Sequence, residues 1–165
     1  MGCLRKLEQK DADLMLEWMK DKTVNCYFSN DFASYNLDKV RKFINESFND
    51  KNQHFAVVNT ADEYQGTISL KNISFEDFNA EYAVVFRKTA QGTGLAKKAS
   101  IELLNYAFDI LKLKKVYLNV LEDNIRARKL YEKIGFKQEG TFYQHKFINN
   151  KFKNLCWYGI FNENI

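Results

Sequence analysis

The stretch RKTAQGTGLAKKAS, residues 87–100, follows the apolar run AEYAVVF (80–86) and leads into SIELLNYAFDIL (100–111), which has the spacing of an amphipathic helix. Gly92 and Gly94 therefore fall where a strand turns into a helix, with cations on both sides. Loops of this kind hold an anion on the bare N–H groups of the helix start. Two nucleotide-binding loops are excluded by spacing. A P-loop needs a second glycine five residues after the first, then Lys and Ser or Thr; counted from Gly92, that position is Lys97. The dinucleotide fingerprint needs glycine at the same place and fails with it.

Outward from the loop, the chain reads as strands and helices without repeats, low-complexity tracts or linkers. CLRKL (3–7) predicts a first strand, and Asp11 to Lys20 a helix through Leu14, Met15 and Trp18. Residues 21–36 read as irregular. Asn36 is a good N-cap for a second helix with Leu37, Val40, Phe43, Ile44 and Phe48 on one face. HFAVVN (54–59), YQGTISLKNIS (64–74) and AEYAVVFR (80–87) read as three strands, and the glycine loop then opens a helix to about Leu113. KKVYLNV (114–120) is another strand. Asn124 caps a short helix, Ile125 to Ile134, stopped by Gly135. Residues 136–148 and 152–161 close the chain as a hairpin around Asn149-Asn150. The order β-α-α-β-β-β-α-β-α-β-β predicts an α/β fold, a mixed sheet flanked by helices.

With 165 residues, 45% of them hydrophobic, residues 1–165 are expected to form a single domain. No apolar run spans a bilayer and no signal peptide is evident, so no membrane association is expected. The start MGCLRK approaches a myristoylation site but has Lys6 where Ser or Thr is required. Cys3, Cys26 and Cys156 are odd in number and far apart, and His54 and His145 are the only histidines. That pattern predicts no disulfide framework, no metal site and a reduced, cytoplasmic protein. The net charge of +4 hides an asymmetry: 10 Lys and Arg face 14 Asp and Glu up to Ala83, against 15 and 7 from Val84 onward. A basic half suits nucleic acid or a phosphorylated small molecule. The cations are scattered and no nucleic-acid motif is present, so direct nucleic-acid binding is not expected.

Gln91-Gly92-Thr93-Gly94-Leu95-Ala96 resembles the Q/R-x-x-G-x-G/A loop with which the GNAT superfamily of N-acetyltransferases cradles the pyrophosphate of acetyl-CoA. Residues 124–136, NIRARKLYEKIGF, match a second pattern of that family, N-x-x-A-x-x-L-Y-x-x-x-G-F, at every fixed position. The element order is also the family's, so the resemblance spans essentially the whole chain and implies a mostly antiparallel sheet. LEWMKDKTV (16–24) and EGTFYQHKFINNKFK (139–153) look like the branch of ribosomal-protein N-terminal acetyltransferases and related amine acetylators. That branch often has proline before the loop's Gln or Arg; Lys88-Thr89-Ala90 stands here. Lys97 and Lys98 support the anion independently. In the first turn of a helix each would cost about 0.3–1 kcal/mol at low salt, and a bound polyanion reverses that sign.

The resemblance implies acetyl-CoA as co-substrate and assigns roles residue by residue. Gln91, Gly92, Thr93, Gly94, Leu95 and Ala96 would hold the pyrophosphate, and Asn124 would also touch the cofactor. The strand before the loop would splay from its neighbour and offer the backbone N–H groups of Val84 and Phe86. Period-2 alternation puts these two on one side of the strand. Tyr131, two helical turns after Asn124, would protonate the departing thiolate, and a phenol with a reference pKa of ~10 suits that task. Glu81, ten residues before Gln91, would be the base, through water. Each also has a plain structural reading: N-cap for Asn124, packing for Tyr131, a solvent-facing strand end for Glu81.

Trp18, Tyr27 and Phe28 could wall an acceptor pocket, with core packing the stronger reading for Trp18; Tyr143 and His145 read as structural. Two rivals to direct transfer are a non-catalytic acyl-CoA-binding module and a ping-pong enzyme using Cys156 with His145. Tyr131 argues against the first, and the lack of a cysteine-enzyme signature against the second. The acceptor is expected to be a primary amine, with a protein N-terminus or amino sugar ranked above a polyamine. Asp11, Asp13, Glu17, Asp21 and Asp31 could steer a cation, but read mostly as a solvated helix face.

Overall fold

The computed structural model describes residues 2–28 and 31–163. One seven-stranded sheet runs in the order β1 (Leu4–Lys6), β2 (Gln53–Val58), β3 (Tyr64–Ser74), β4 (Asn79–Phe86), β5 (Lys115–Leu121), β7 (Lys151–Phe161), β6 (Lys137–Ile148). Every neighbouring pair is antiparallel except β4 and β5. A parallel pair needs a crossover, and helix α4 (Leu95–Asn105) supplies it.

Two cores lie on opposite faces of the sheet. On one face Tyr82, Phe86, Val116, Leu118 and Tyr158 pack under α4 and α5 (Ile125–Ile134) with Leu103, Tyr131 and Phe136. On the other, α1 (Ala12–Lys20) and α3 (Leu37–Glu46) cover the β2–β4 side through Met15, Trp18, Val40 and Ile44 on Ala56, Tyr64 and Val85. The helix ends follow from sequence. Asn36 accepts from Lys39 N–H at 3.0 Å, and Gly135, in the left-handed region, ends α5 by donating to Tyr131 O at 3.1 Å. Asn149 and Asn150 both have positive φ, the mark of a tight hairpin turn.

Several expectations need correction. Residues 21–36 contain a short helix, α2 (Lys22–Asn25), and a 3-10 turn at Phe32–Ser34; Ser29 and Asn30 lie outside the described residues. Asp21 and Asp31 side chains cap these turns, accepting from Thr23 and Ala33 N–H, which a scan for apolar periodicity does not detect. Phe48 is not on the α3 face: it lies beyond the helix and packs edge-on against Phe55. The helix after the glycine loop leaves α geometry at Asn105 and continues as a π turn, Tyr106–Ile110. Trp18 is in the core, as the stronger of its two readings has it, and donates to Tyr64 Oη at 2.9 Å.

Candidate active site

β4 and β5 pair only over Asn79↔Lys115, Ala80↔Val116 and Glu81↔Tyr117; beyond these residues they part. β4 keeps its pairing with β3 up to Phe86. Arg87 N–H donates to Gln65 O across that ladder at 2.9 Å. Backbone groups alternate in direction along a strand, so the amides of Val85 and Arg87 face β3 and those of Val84 and Phe86 face the gap. The Phe86 carbonyl, on the same side, accepts from Gln91 Nε2 at 3.3 Å. The strand thus offers a short row of backbone donors to whatever enters between β4 and β5.

The glycine loop lies where β4 ends. Gly92 and Gly94 have φ of 83° and 82°, a region closed to most side chains. A Cβ at either position would meet no atom within 4 Å, so the requirement comes from backbone shape and open approach rather than from crowding. Gly94 is the N-cap of α4 and has no side chain to cap it; the nearest substitute, Thr93 Oγ1, is 3.4 Å from Leu95 N. Thr93 itself is held by Ala90 O at 2.8 Å. Exposed glycines, uncapped helix donors and exposed Lys97 and Lys98 form a cradle that fits a polyphosphate. Arg126 Nη1 donates to Gln91 Oε1 at 2.6 Å and ties the loop to the start of α5. That contact was not foreseen, because it depends on how α5 docks.

Asn124 caps α5, accepting from Ala127 N–H at 3.3 Å. Two turns on, Tyr131 is buried, 8% exposed, with its ring 5.8 Å from Tyr82 of β4 and 6.5 Å from Tyr158 of β7. Because β5 separates β4 from β7, the ring lies across the strand that borders the gap. Burial pushes its phenol up to about 12, so at neutral pH it is a fully protonated donor.

Glu81 stands on the opposite sheet face from Tyr131. It is not a free strand end: Lys71 Nζ reaches Oε1 at 2.9 Å and Asn72 Nδ2 reaches Oε2 at 2.9 Å. Asn119 Nδ2, on β5 just past the last paired residue, is 3.5 Å from Oε1. The structure does not bring Cys156 and His145 together. The Cys156 thiol is buried beside Thr141 Oγ1 at 3.8 Å, while His145 packs on Phe142. Tyr27, Phe28 and Tyr143 are exposed. Of the acidic residues expected to be mostly a solvated face, Asp13, Glu17 and Asp31 are exposed, Glu17 while pairing with Arg87 at 3.0 Å; Asp11 is the exception, buried and gripped by Arg5 with two 2.8 Å bonds. Among the described residues no group of His, Cys, Asp or Glu is placed to hold a metal, and no helix is long and apolar enough to cross a membrane.

A parted parallel strand pair beside a glycine cradle is the arrangement of an acyl-CoA-dependent acyltransferase. The GNAT acetyltransferase domain matches residues 3–137, and the chain belongs to that family, as an acetyl-CoA-dependent N-acetyltransferase. Among its relatives, the spermidine N(1)-acetyltransferase of Vibrio cholerae is 29% identical over 154 residues, covering 92% of this chain and 88% of the relative. A crystal structure of the spermidine N-acetyltransferase from that organism, in complex with CoA and spermine, superposes with a TM-score of 0.88 at 26% identity, covering 96% of this chain and 94% of the other. A putative ribosomal N-acetyltransferase of Bacillus subtilis is 30% identical over 95 residues, 58% of this chain and 52% of that protein.

Proposed function

We propose that this enzyme acetylates a polyamine such as spermidine by direct transfer, with both substrates bound together. The parting of β4 from β5 beside the glycine cradle supports direct transfer, because beyond Glu81 and Tyr117 the two strands no longer pair and the β4 amides of Val84 and Phe86 face the gap. Acetyl-CoA, when bound, supplies the activated acyl group. Gln91 to Ala96 orient its pyrophosphate, Asn124 adds a side-chain amide, and the Val84 and Phe86 amides stabilise charge on the acyl oxygen. Tyr131 gives its proton to the departing thiolate. Glu81 takes the proton of the incoming ammonium, directly or through water.

The acceptor is where the relatives alter the order reached from sequence. Relatives matched over most of their length are named for spermidine, whereas the ribosomal likeness covers about half of each chain. A protein N-terminus remains the second reading on that ground, ahead of an amino sugar. A cytoplasmic setting belongs to the same proposal, supported by the three unpaired cysteines. Mass spectrometry of products from spermidine, N-terminal peptides and amino sugars, each supplied with acetyl-CoA, tests the acceptor. Acetylspermidine is the expected main product; turnover confined to peptides or sugars overturns the polyamine assignment.

A further inference from the structure

Tyr131 is positioned by packing alone. Among the described residues no hydrogen bond holds its hydroxyl, and the one fully enclosed side-chain N or O atom without a partner is Trp157 Nε1, so the Tyr131 oxygen still reaches open space. Its ring packs on Tyr82, edge-on at 5.8 Å and 83°, on Phe136 at 6.1 Å and on Tyr158 at 6.5 Å. A side chain with no bond of its own keeps its aim only as well as its neighbours keep theirs. Two of these neighbours are themselves anchored, and to different places. The Tyr158 hydroxyl lies 3.0 Å from Arg128 Nε and 3.1 Å from Glu132 Oε1, both on α5, the helix that carries Tyr131.

Tyr82, on β4, is tied elsewhere. Its hydroxyl lies 2.6 Å from Ser100 Oγ of α4, and Ser100 Oγ donates to Ala96 O at 2.7 Å. A serine has one hydroxyl hydrogen, and Ser100 spends it on the carbonyl one turn back, so the Tyr82 phenol is the donor in the bond they share. Both residues are buried. Burial, then the Tyr131 phenol, push the Tyr82 phenol up, so it stays protonated. Ala96 stands in the first turn of α4, at the glycine cradle. One side chain thus bonds toward the start of the cradle helix and packs on the Tyr131 ring.

We infer that Tyr82 is a positioning residue for acetyl transfer: bonded through Ser100 to the first turn of α4, it holds the Tyr131 ring at a fixed place relative to the cofactor cradle. This role rests on the reading of Tyr131 as the acid and adds the group that aims it. The two reacting partners have separate supports, the loop and α4 for the cofactor, α5 for the phenol. The bond from Arg126 to Gln91 ties those supports at the surface; Tyr82 makes a second tie inside the core. Core packing asks only for the ring, whereas the positioning belongs to the hydroxyl. Phenylalanine would fill the same space and leave the ring free to slide along α4.

The test measures kcat at saturating acetyl-CoA with spermidine, or the peptide or amino sugar that turns over in its place, as acceptor. CoA affinity by calorimetry and urea melts serve as controls. Tyr82→Phe should lower kcat about three- to tenfold, below the ~10²-fold that a ~1 Å misplacement can cost, with CoA affinity little changed. Ser100→Ala should act likewise, and the two together should cost no more than either alone. In a Tyr131→Phe background neither should lower kcat further, since nothing is left to aim. An unchanged kcat in folded Tyr82→Phe overturns the positioning role and leaves Tyr131 as the acid. An equal loss with and without the Tyr131 hydroxyl overturns it too, as the mark of a fault in the fold. If Tyr131→Phe itself leaves kcat unchanged, the acid reading fails, and the role of Tyr82 with it.

Discussion

The two halves of the sheet are built differently. From β1 to β4 helices cover both faces, and polar groups drawn inside are paired: Trp18 to Tyr64, Tyr64 to Thr67 at 2.7 Å, and Asp11 to Arg5. From β5 to β6 only one face is covered, and the other presents Tyr117, Trp157 and an exposed Phe142. The candidate site occupies the seam between the halves. A closed half supplies a rigid edge, and an open half supplies access.

Removing the phenol proposed as proton donor at the seam should have the largest effect. Tyr131→Phe is expected to lower kcat on the order of 10²-fold, the range for a positioned acid, with CoA binding little altered. Steady-state kinetics beside calorimetry would show it, and an unchanged kcat would remove Tyr131 from the chemistry. Acetylated Cys156 trapped without acceptor would instead favour the ping-pong route.

In the closed half, acid should loosen the fold through His54. Desolvation, then the nearby Lys71 charge, pulls its imidazole down to about 4 from 6.5, and its Nδ1 lies 2.7 Å from Ser69 Oγ. The folded state therefore binds its proton later than the unfolded chain does. Stability is whole above pH ~6.5 and is lost as pH falls toward 4, by about 2 kcal/mol after allowing for solvent screening. Urea melts of the parent and His54→Gln across that window should differ in slope. Parallel curves would mean that His54 titrates as an exposed histidine.

At the loop, Gly94→Val places a branched residue at positive φ, at a cost of about 1–2 kcal/mol, and narrows the approach to the α4 amides. CoA affinity should drop about tenfold by calorimetry; tight binding by a folded variant would move the pyrophosphate elsewhere. The smallest effect is expected from Arg87→Met. Arg87 joins Glu17 of α1 to Glu63 at 3.0 and 2.9 Å, yet both carboxylates are half exposed. The loss should be about 1 kcal/mol, a fall of a few degrees in Tm by calorimetry. A loss several times larger would show that the closed half depends on this link rather than on its apolar core.

The loop and α5 were legible because their determinants are local. Glycine at positive φ, Asn124 as a cap and Gly135 as a stop act within a few residues of themselves, and the spacing from Asn124 to Tyr131 is set by helical pitch. β3 runs from Tyr64 to Ser74 and α5 from Ile125 to Ile134, as the sequence pattern predicts. Side-chain caps escaped notice where they stood outside apolar periodicity, as at Asp21 and Asp31.

From the sequence alone come the element order and the local turns at Gly92, Gly94, Asn124 and Gly135, which rest on short-range spacing; the family and the co-substrate come from the resemblance of residues 91–96 and 124–136 to family patterns. Only the tertiary structure decides where β4 leaves β5 and which amides face the gap. It also decides that Glu81 is held by Lys71 and Asn72, and that Tyr117 and Trp157 share its face. Those relations depend on strand register and on which strand lies beside which. Register belongs to pairs of segments far apart in the chain, so the alternation read in one strand fixes which side chains share a face but leaves its partner and offset open.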